Sequence, residues 1–394
     1  MSILFYDDSP VFGGHEVMSL LGLEAVLTDF SNSVHFIAAS ANNKLCEKVA
    51  GIAVRHPHLT LETVGWHDSK LEALRNRLQP SRIKTLANRF RQLSPTLVVA
   101  IQGNIEHSSL GLHAARRAGI PCVSYIPVPH SNAEMGARFG ALRDIFCAHL
   151  FKLPDAFITI TDEMARLLKQ QGATAPIDIV YNGVETQRFQ PGDAKAACDE
   201  LSLPFDKVRV GVIGRIEFRQ KQQHLLVQAI ASDPALAASC HLVFAGDGPD
   251  ISALQDLIRQ HQLSATVLPW CDPARLYQAL DALVIPSRYE GLPLVMLEAL
   301  STGTAVLGSD RDGMKDLLPK VWRFEPNNPA ALSTALGQFI ANHCPAPDPA
   351  LVSRVRETMS IGSFNHSFSV AVLRHVGPAE AHSRLHREVN PPHI

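Results

Sequence analysis

Short apolar runs rich in β-branched residues alternate with longer amphipathic stretches along nearly the whole 394-residue chain. The first half carries "ILFY", "VHFIAA", "TLETV", "TLVVAIQ", "PCVSYIPV", "AFITI" and "IDIVYN". The second half carries "VRVGVIG", "HLVFAG", "ATVLP", "ALVIPS", "TAVLGS" and "VWRFEP". Nearly continuous apolar strands need both faces covered, and the intervening helical stretches supply the cover, so the pattern predicts parallel sheets in doubly wound α/β domains. Turn residues and Pro191 in "NGVETQRFQPGD", residues 182–193, separate the two series. We therefore expect one domain over 1–190 and a second, with a C-terminal tail, over 191–394. Such sheets bind ligands beyond the carboxyl ends of their strands, which directs attention to the residues just after each run.

The length suits two domains at roughly 150 residues each. A hydrophobic content of 46%, a charged content of 19% and a net charge of -2 are ordinary for a soluble globular protein and give no global argument for nucleic acid. Seven scattered cysteines without a CxxC argue against a disulfide framework or a zinc site and suit a reducing cytoplasm. Met1 leads straight into the strand-like "SILFY" without a basic segment, and no apolar stretch reaches the about 18 residues of a membrane span. From Pro345 onward the chain is polar and His-rich, with one helix expected around residues 349–359 and disorder expected in the last dozen residues.

Several constellations follow strands. In "YEGLPLVMLEALSTGTAVLGSD" Glu290 lies in a loop, Pro293 suits a first helical position, and Glu298 falls in the second turn. Helical side chains lean toward the N-terminus, so both carboxylates can flank one ligand there, and the free amides of that terminus attract phosphate. In "GVIGRIEFRQKQQHLLVQAI" Arg215 and Lys221 provide paired cations suited to a diphosphate, whereas Arg219 reads as a solvated residue. After the first strand, Gly13 and Gly14 in "DDSPVFGGHEVM" open a helix and let a ligand approach its backbone. No G-x-G-x-x-G is present there or after "VFAG", so a nicotinamide-type fingerprint is excluded.

These pieces together resemble the retaining glycosyltransferases of family 4, over the chain to about residue 340. The strongest element is E-x7-E, Glu290 to Glu298; "GGHE", "YNGVETQRF", "GRIEFRQK", "AGDGPD" and "GMKD" follow the family's order. The resemblance implies a GT-B fold, two Rossmann-like domains facing each other across a cleft, with acceptor binding in the first and nucleotide-sugar binding in the second. It implies that Arg215 and Lys221 hold the donor diphosphate, that Gly14 and the backbone at Leu294 and Val295 cradle phosphate, and that Glu298 bonds the ribose. Glu290 would face the donor sugar, and His130 in "SYIPVPHSN" would stand beside the reacting sugar, in preference to His107. The chain departs from the family in two places. Pro293 removes one amide donor, and "KQQ" stands where the family often has Lys-Gly, which alters the tightness of that turn but keeps the cation.

The implied reaction moves a sugar from a UDP- or GDP-sugar to a hydroxyl acceptor such as a lipid-linked saccharide in cell-surface polysaccharide or glycolipid synthesis. No metal or other cofactor is expected, the nucleotide sugar being a substrate. Asp310 and Asp312 in "SDRDG" form a DxD pattern that reads more readily as a turn than as a metal site. From Arg75 to Arg91 six basic residues and no acidic one interleave with Leu78, Ile83, Leu86 and Phe90. That pattern fits a packed helix with a solvated face, and equally a peripheral contact with an anionic membrane surface. Nucleic acid is disfavoured, since Phe90 is the only aromatic among those charges. Two other readings stay open: a sugar-nucleotide 2-epimerase on the same architecture, and an inactive nucleotide-sugar-binding scaffold.

Overall fold

A computed structural model describes residues 1–376 of the chain, so the expectation of disorder in the last dozen residues lies outside the described part. The chain divides into two compact units. The first holds β1 (Ile3–Asp7), β2 (Val34–Ala39), β3 (Leu59–Val64), β4 (Leu97–Ile101), β5 (Cys122–Tyr125), β6 (Ala156–Thr159) and β7 (Ile177–Ile179). They form one parallel sheet in the order β3-β2-β1-β4-β5-β6-β7. The second holds β8 (Val208–Ile213), β9 (Cys240–Ala245), β10 (Ala265–Leu268), β11 (Ala282–Ile285), β12 (Ala305–Ser309) and β13 (Arg323–Phe324), in the order β10-β9-β8-β11-β12-β13. Every apolar run of the sequence became a strand, and the central ones are sealed on both faces, with all five residues of β1 and of β4 buried. Apolar residues supply the seal: Phe5 stacks on Phe36 with ring centroids 6.2 Å apart, and Tyr6 meets Phe90 edge-on at 6.1 Å.

In each unit the strand order reverses direction once, between β1 and β4 and between β8 and β11. At such a point the loops leaving two adjacent strands part to opposite faces of the sheet and open a crevice at their carboxyl ends, where ligands of this architecture bind.

The structure corrects the expected domain limits. Among the described residues, the first unit comprises Met1–Tyr181 and residues 362–376, and the second comprises Asn182–Ile361. Residues 182–190 belong to the second unit because Asn182 Nδ2 donates to Leu292 O at 2.8 Å, Val184 N to Met359 O at 2.8 Å, and Phe189 packs edge-on against Tyr277 at 5.9 Å. The chain then returns to the first unit with the helix Ile361–Leu373, where sequence placed everything after 190 in the second domain. Phe364, Phe368, Ala371 and Val372 recur at helical spacing and are buried, and Phe368 lies edge-on to Tyr125 at 5.3 Å. Gly22 admits that ring: a Cβ there would lie 2.5 Å from Phe368 Cδ1. The preceding helix forms at Pro349–Thr358, close to the expected 349–359. All seven cysteines are free thiols, and no helix among the described residues is long and apolar enough to cross a membrane.

The basic stretch folds as two helices, Glu72–Leu78 and Pro80–Leu93, and much of its charge is spent locally. Arg82 reaches the fully buried Glu72 at 2.7 Å, Arg75 reaches the same carboxylate at 3.4 Å, and Arg89 pairs with Glu62 at 2.7 Å. Leu86 and Phe90 are core residues.

Candidate functional site

In the second unit the crevice lies where the loop after β8 meets the loop after β11. The two are tied by backbone: Arg288 N donates to Gln220 O at 2.7 Å, and Gln220 Nε2 reaches Tyr289 O at 3.3 Å. Lys221 and Glu290 therefore come together, Nζ to Oε1 at 2.5 Å, with the carboxylate almost buried and the amine a little more open. Glu290 is held from behind by its own N–H, which donates to Asp312 Oδ2 at 2.8 Å. Asp312 is thus a turn-forming residue, and Asp310 turns instead to Arg323 at 2.6 Å, so the DxD pair does not converge on one ion. The turn at "KQQ" is made by Gln222 in the left-handed region (φ 53°), a place that suits glycine. Its side chain, bonded through Nε2 to Asn327 Oδ1 at 2.8 Å, helps to hold it there.

Arg215 follows β8 and is exposed. Gly214 and Gly246 let the loops after β8 and β9 run side by side; a Cβ on Gly246, whose φ is 142°, would stand 2.1 Å from Gly214 O. The helix that carries Glu298 spans Leu294–Thr302 with Pro293 as its cap, one place ahead of the expected first helical position. Its first amide bonds are those of Met296 and Leu297 to Pro293 O, at 3.1 and 3.4 Å. The amides of Leu294 and Val295 precede them, at the terminus where a helix presents donors and a positive dipole end.

Glu298 keeps different company from Glu290. Its Oε2 accepts from Tyr277 Oη at 2.6 Å, and it borders a surface cavity of about 450 Å³ with Arg188, Phe189, Trp270, Asp272 and Pro273. Burial pushes its carboxyl above the usual range, against the opposing pull of the Tyr277 hydrogen bond and Arg188. Arg188 is itself fixed by Asp272 at 2.8 Å. Trp270 is 68% exposed, an aromatic face available to a planar ligand beside Glu298. Sequence reading missed Arg188 and Tyr277; the first stood inside a motif already noted, while no local signal marked the second.

In the first unit the crevice is bounded by the loops after β1 and β4. Gly14 begins the helix Gly14–Asp29, and the Gly13 N–H donates to Glu16 Oε2 at 2.6 Å. His130, after β5, is fully buried, whereas His107, after β4, contacts Asp68 at 3.3 Å and is pushed down to about 4, mainly by burial. Asp7, His15 and Glu16 gather at the end of β1, with one donor atom from each within 4.8 Å of the others. That group was not predicted, although "DDSPVFGGHE" holds it; attention to the glycines passed over the acids.

Residues 207–342 match the family described as "Glycosyl transferases group 1", and residues 25–188 match "Glycosyltransferase Family 4". A D-inositol 3-phosphate glycosyltransferase of Mycobacterium bovis is 34% identical over 172 residues, 41% of this chain and 35% of the relative, and one from Mycobacterium tuberculosis matches equally. The match thus spans about a third of the length of those relatives. Among solved structures, Anabaena HepE in complex with UDP and glucose superposes with a TM-score of 0.73 at 17% identity, covering 95% of this chain and 100% of that one. The lipopolysaccharide outer core galactosyltransferase WaaB follows at 0.69 and 18%, covering 95% and 99%. Both halves of the chain carry a glycosyltransferase signature and the two sheets have the GT-B architecture, so the chain belongs to the family 4-like glycosyltransferases of GT-B fold.

Proposed function

We propose that this chain transfers a hexosyl group from a UDP- or GDP-sugar to a hydroxyl acceptor with retention of configuration. The observation that carries the reading is the meeting of Lys221 with Glu290 at the β8/β11 crossover, on a loop that also carries the exposed Arg215. Cleaving the sugar-to-diphosphate bond builds negative charge on the leaving oxygen. Arg215, Lys221 and the amides of Leu294 and Val295 are the groups that would stabilise it, and no metal is required there. Glu298 would bond the ribose hydroxyls, and Trp270 in the same cavity offers the base a face. Glu290 would position the sugar and stabilise its cationic ring, and the leaving diphosphate would take the acceptor's proton. In the first unit, Gly14 is assigned to phosphate and His130 to the reacting sugar. A complex of Anabaena HepE with UDP-glucose favours uridine as the first base to try.

The acceptor we favour is a lipid-linked saccharide, with the first unit resting on an anionic membrane. Leu78, Phe139, Leu142 and Ile145 are exposed, and Arg77 stands 5.5 Å from the Phe146 ring, so exposed apolar side chains and a cation occur in the same two segments, residues 77–78 and 139–146. Flotation with vesicles containing phosphatidylglycerol checks this; absence from the vesicle fraction at low salt removes the membrane from the proposal.

The activity test is a panel of UDP- and GDP-sugars in EDTA, followed by nucleoside diphosphate release with and without saccharide acceptors and by NMR of the product's anomeric proton. Acceptor-dependent release with a retained anomer is expected. Donor consumption that needs no acceptor points to a 2-epimerase, and stoichiometric binding without turnover points to a scaffold.

A further inference from the structure

Two buried carboxylates at the end of β1 share an arrangement. Asp7 is fully buried; its Oδ1 accepts from Ser9 N at 2.9 Å, and its Oδ2 has no hydrogen-bond partner. Glu16 is equally buried; its Oε2 accepts from Gly13 N, and its Oε1 faces His15 Nε2 at 2.9 Å. Each carboxylate is thus aimed by one backbone amide, and one ligand atom from each of Asp7, His15 and Glu16 lies within 4.8 Å of the others. His15 stands in room that Gly103, after β4, leaves for it: a Cβ there would lie 2.7 Å from His15 Cε1 and 2.9 Å from His15 Nε2. The group sits at the strand crossover, and His15 retains 17% side-chain exposure, so it is reachable from solvent.

We propose that the first unit binds a divalent cation of the first transition series through Asp7, His15 and Glu16. An imidazole with two carboxylates suits zinc or manganese better than magnesium, which prefers an all-oxygen, largely hydrated shell. The nearby helix N-terminus opposes a cation with a partial charge of about +0.5, which two full negative charges exceed. Three protein ligands leave a tetrahedral ion one open position, free for water or for an oxygen of a ligand entering the crevice. The alternative occupant of the charge balance is a proton on His15 itself. This cation departs from the expectation that the chain uses no metal, although it lies in the other unit from the residues assigned to the donor diphosphate.

The test is isothermal titration of the full chain, stripped with EDTA and dialysed, with Zn²⁺, Mn²⁺ and Mg²⁺, alongside Asp7→Asn and His15→Gln. Binding of one Zn²⁺ or Mn²⁺ per chain at micromolar or lower Kd is expected, with at least tenfold weakening in each variant and a metal-induced rise in Tm that the variants lose. No binding up to millimolar metal overturns the proposal, as does binding that both variants retain. If Asp7→Asn does not fold, His15→Gln, at a partly open position, decides alone. The measurement uses neither donor nor acceptor, so its outcome is independent of whether the chain transfers sugar.

Discussion

Lys221→Met separates a ligand-binding role of the Lys221–Glu290 pair from a structural one. The pair closes at 2.5 Å with side chains 28% and 9% exposed, so the carboxylate end is the one removed from water. Two unit charges 4 Å apart attract by about 4 kcal/mol at an effective dielectric constant near 20, before desolvation is subtracted. A charge-assisted hydrogen bond of this kind retains about 1.5–3 kcal/mol net. Removing the amine should therefore lower Tm by about 3–12 °C, taking roughly 2–4 °C per kcal/mol for a unit of this size. Glu290→Gln added to Lys221→Met should recover part of that loss, because the stranded charge is then gone. If Lys221 also grips the donor, Lys221→Met should weaken UDP, or GDP if guanosine is the base, by about 10- to 100-fold, equivalent to about 1.4–2.7 kcal/mol, while the free nucleoside binds unchanged. Calorimetric titration of nucleoside and diphosphate against both proteins reads the ratio. A variant that loses Tm yet keeps the native preference for the diphosphate would show that Lys221 is only a strut for Glu290, and the diphosphate role would be withdrawn.

Tyr277→Phe should destabilise the second unit by about 1–2 kcal/mol, since Glu298 loses its 2.6 Å donor, and it should raise the Glu298 carboxyl further; thermal melts and the pH dependence of nucleotide binding read the two effects. Asp68 is pushed up to about 8, first by burial and then by Asp8, Glu72 and Glu106, so the folded state holds a proton that the unfolded chain gives up near pH 4. The sign follows: this stability is present at low pH and fades as pH rises from about 4 to about 8, so Asp68→Asn should flatten the Tm profile between pH 5 and 8 and raise Tm at pH 8 by up to a few degrees. An unchanged profile would show that Asp68 is solvated and ionised. Gly22→Ala should lower Tm by the equivalent of about 1–3 kcal/mol despite alanine's better helix propensity, because the new methyl would meet the Phe368 ring at 2.5 Å; a higher Tm would mean the last helix is not seated there.

Much of the donor-side chemistry was legible because it is local. Lys221 and Glu290 each follow a buried strand, and in a doubly wound sheet that position delivers a side chain to the crevice edge whatever the remaining details. Glu298 was legible as a residue, but its surroundings were not. Tyr277 and Arg188 reach it from segments 21 and more than 100 positions away, and no periodicity reports such a meeting. The Asp7, His15 and Glu16 group was illegible for another reason: a run of acids near a strand end is unremarkable until folding shows that Asp7 and Glu16 are fully buried. The basic stretch was legible as charge but not as pairing, since Glu62, which neutralises part of it, is distant in the chain.

By itself the sequence determined the thirteen strands of the described residues, since runs that are apolar on both faces are satisfied inside a covered parallel sheet. It also determined the glycosyltransferase likeness, because the motifs are contiguous and ordered. The tertiary structure alone decided the strand order and its two crossovers, the return of the final helix to the first unit, and the pairing of each carboxylate with its partner. Those outcomes depend on packing between segments far apart in the chain, where the shape of one buried surface, such as the space above Gly22, selects the side chain that fills it.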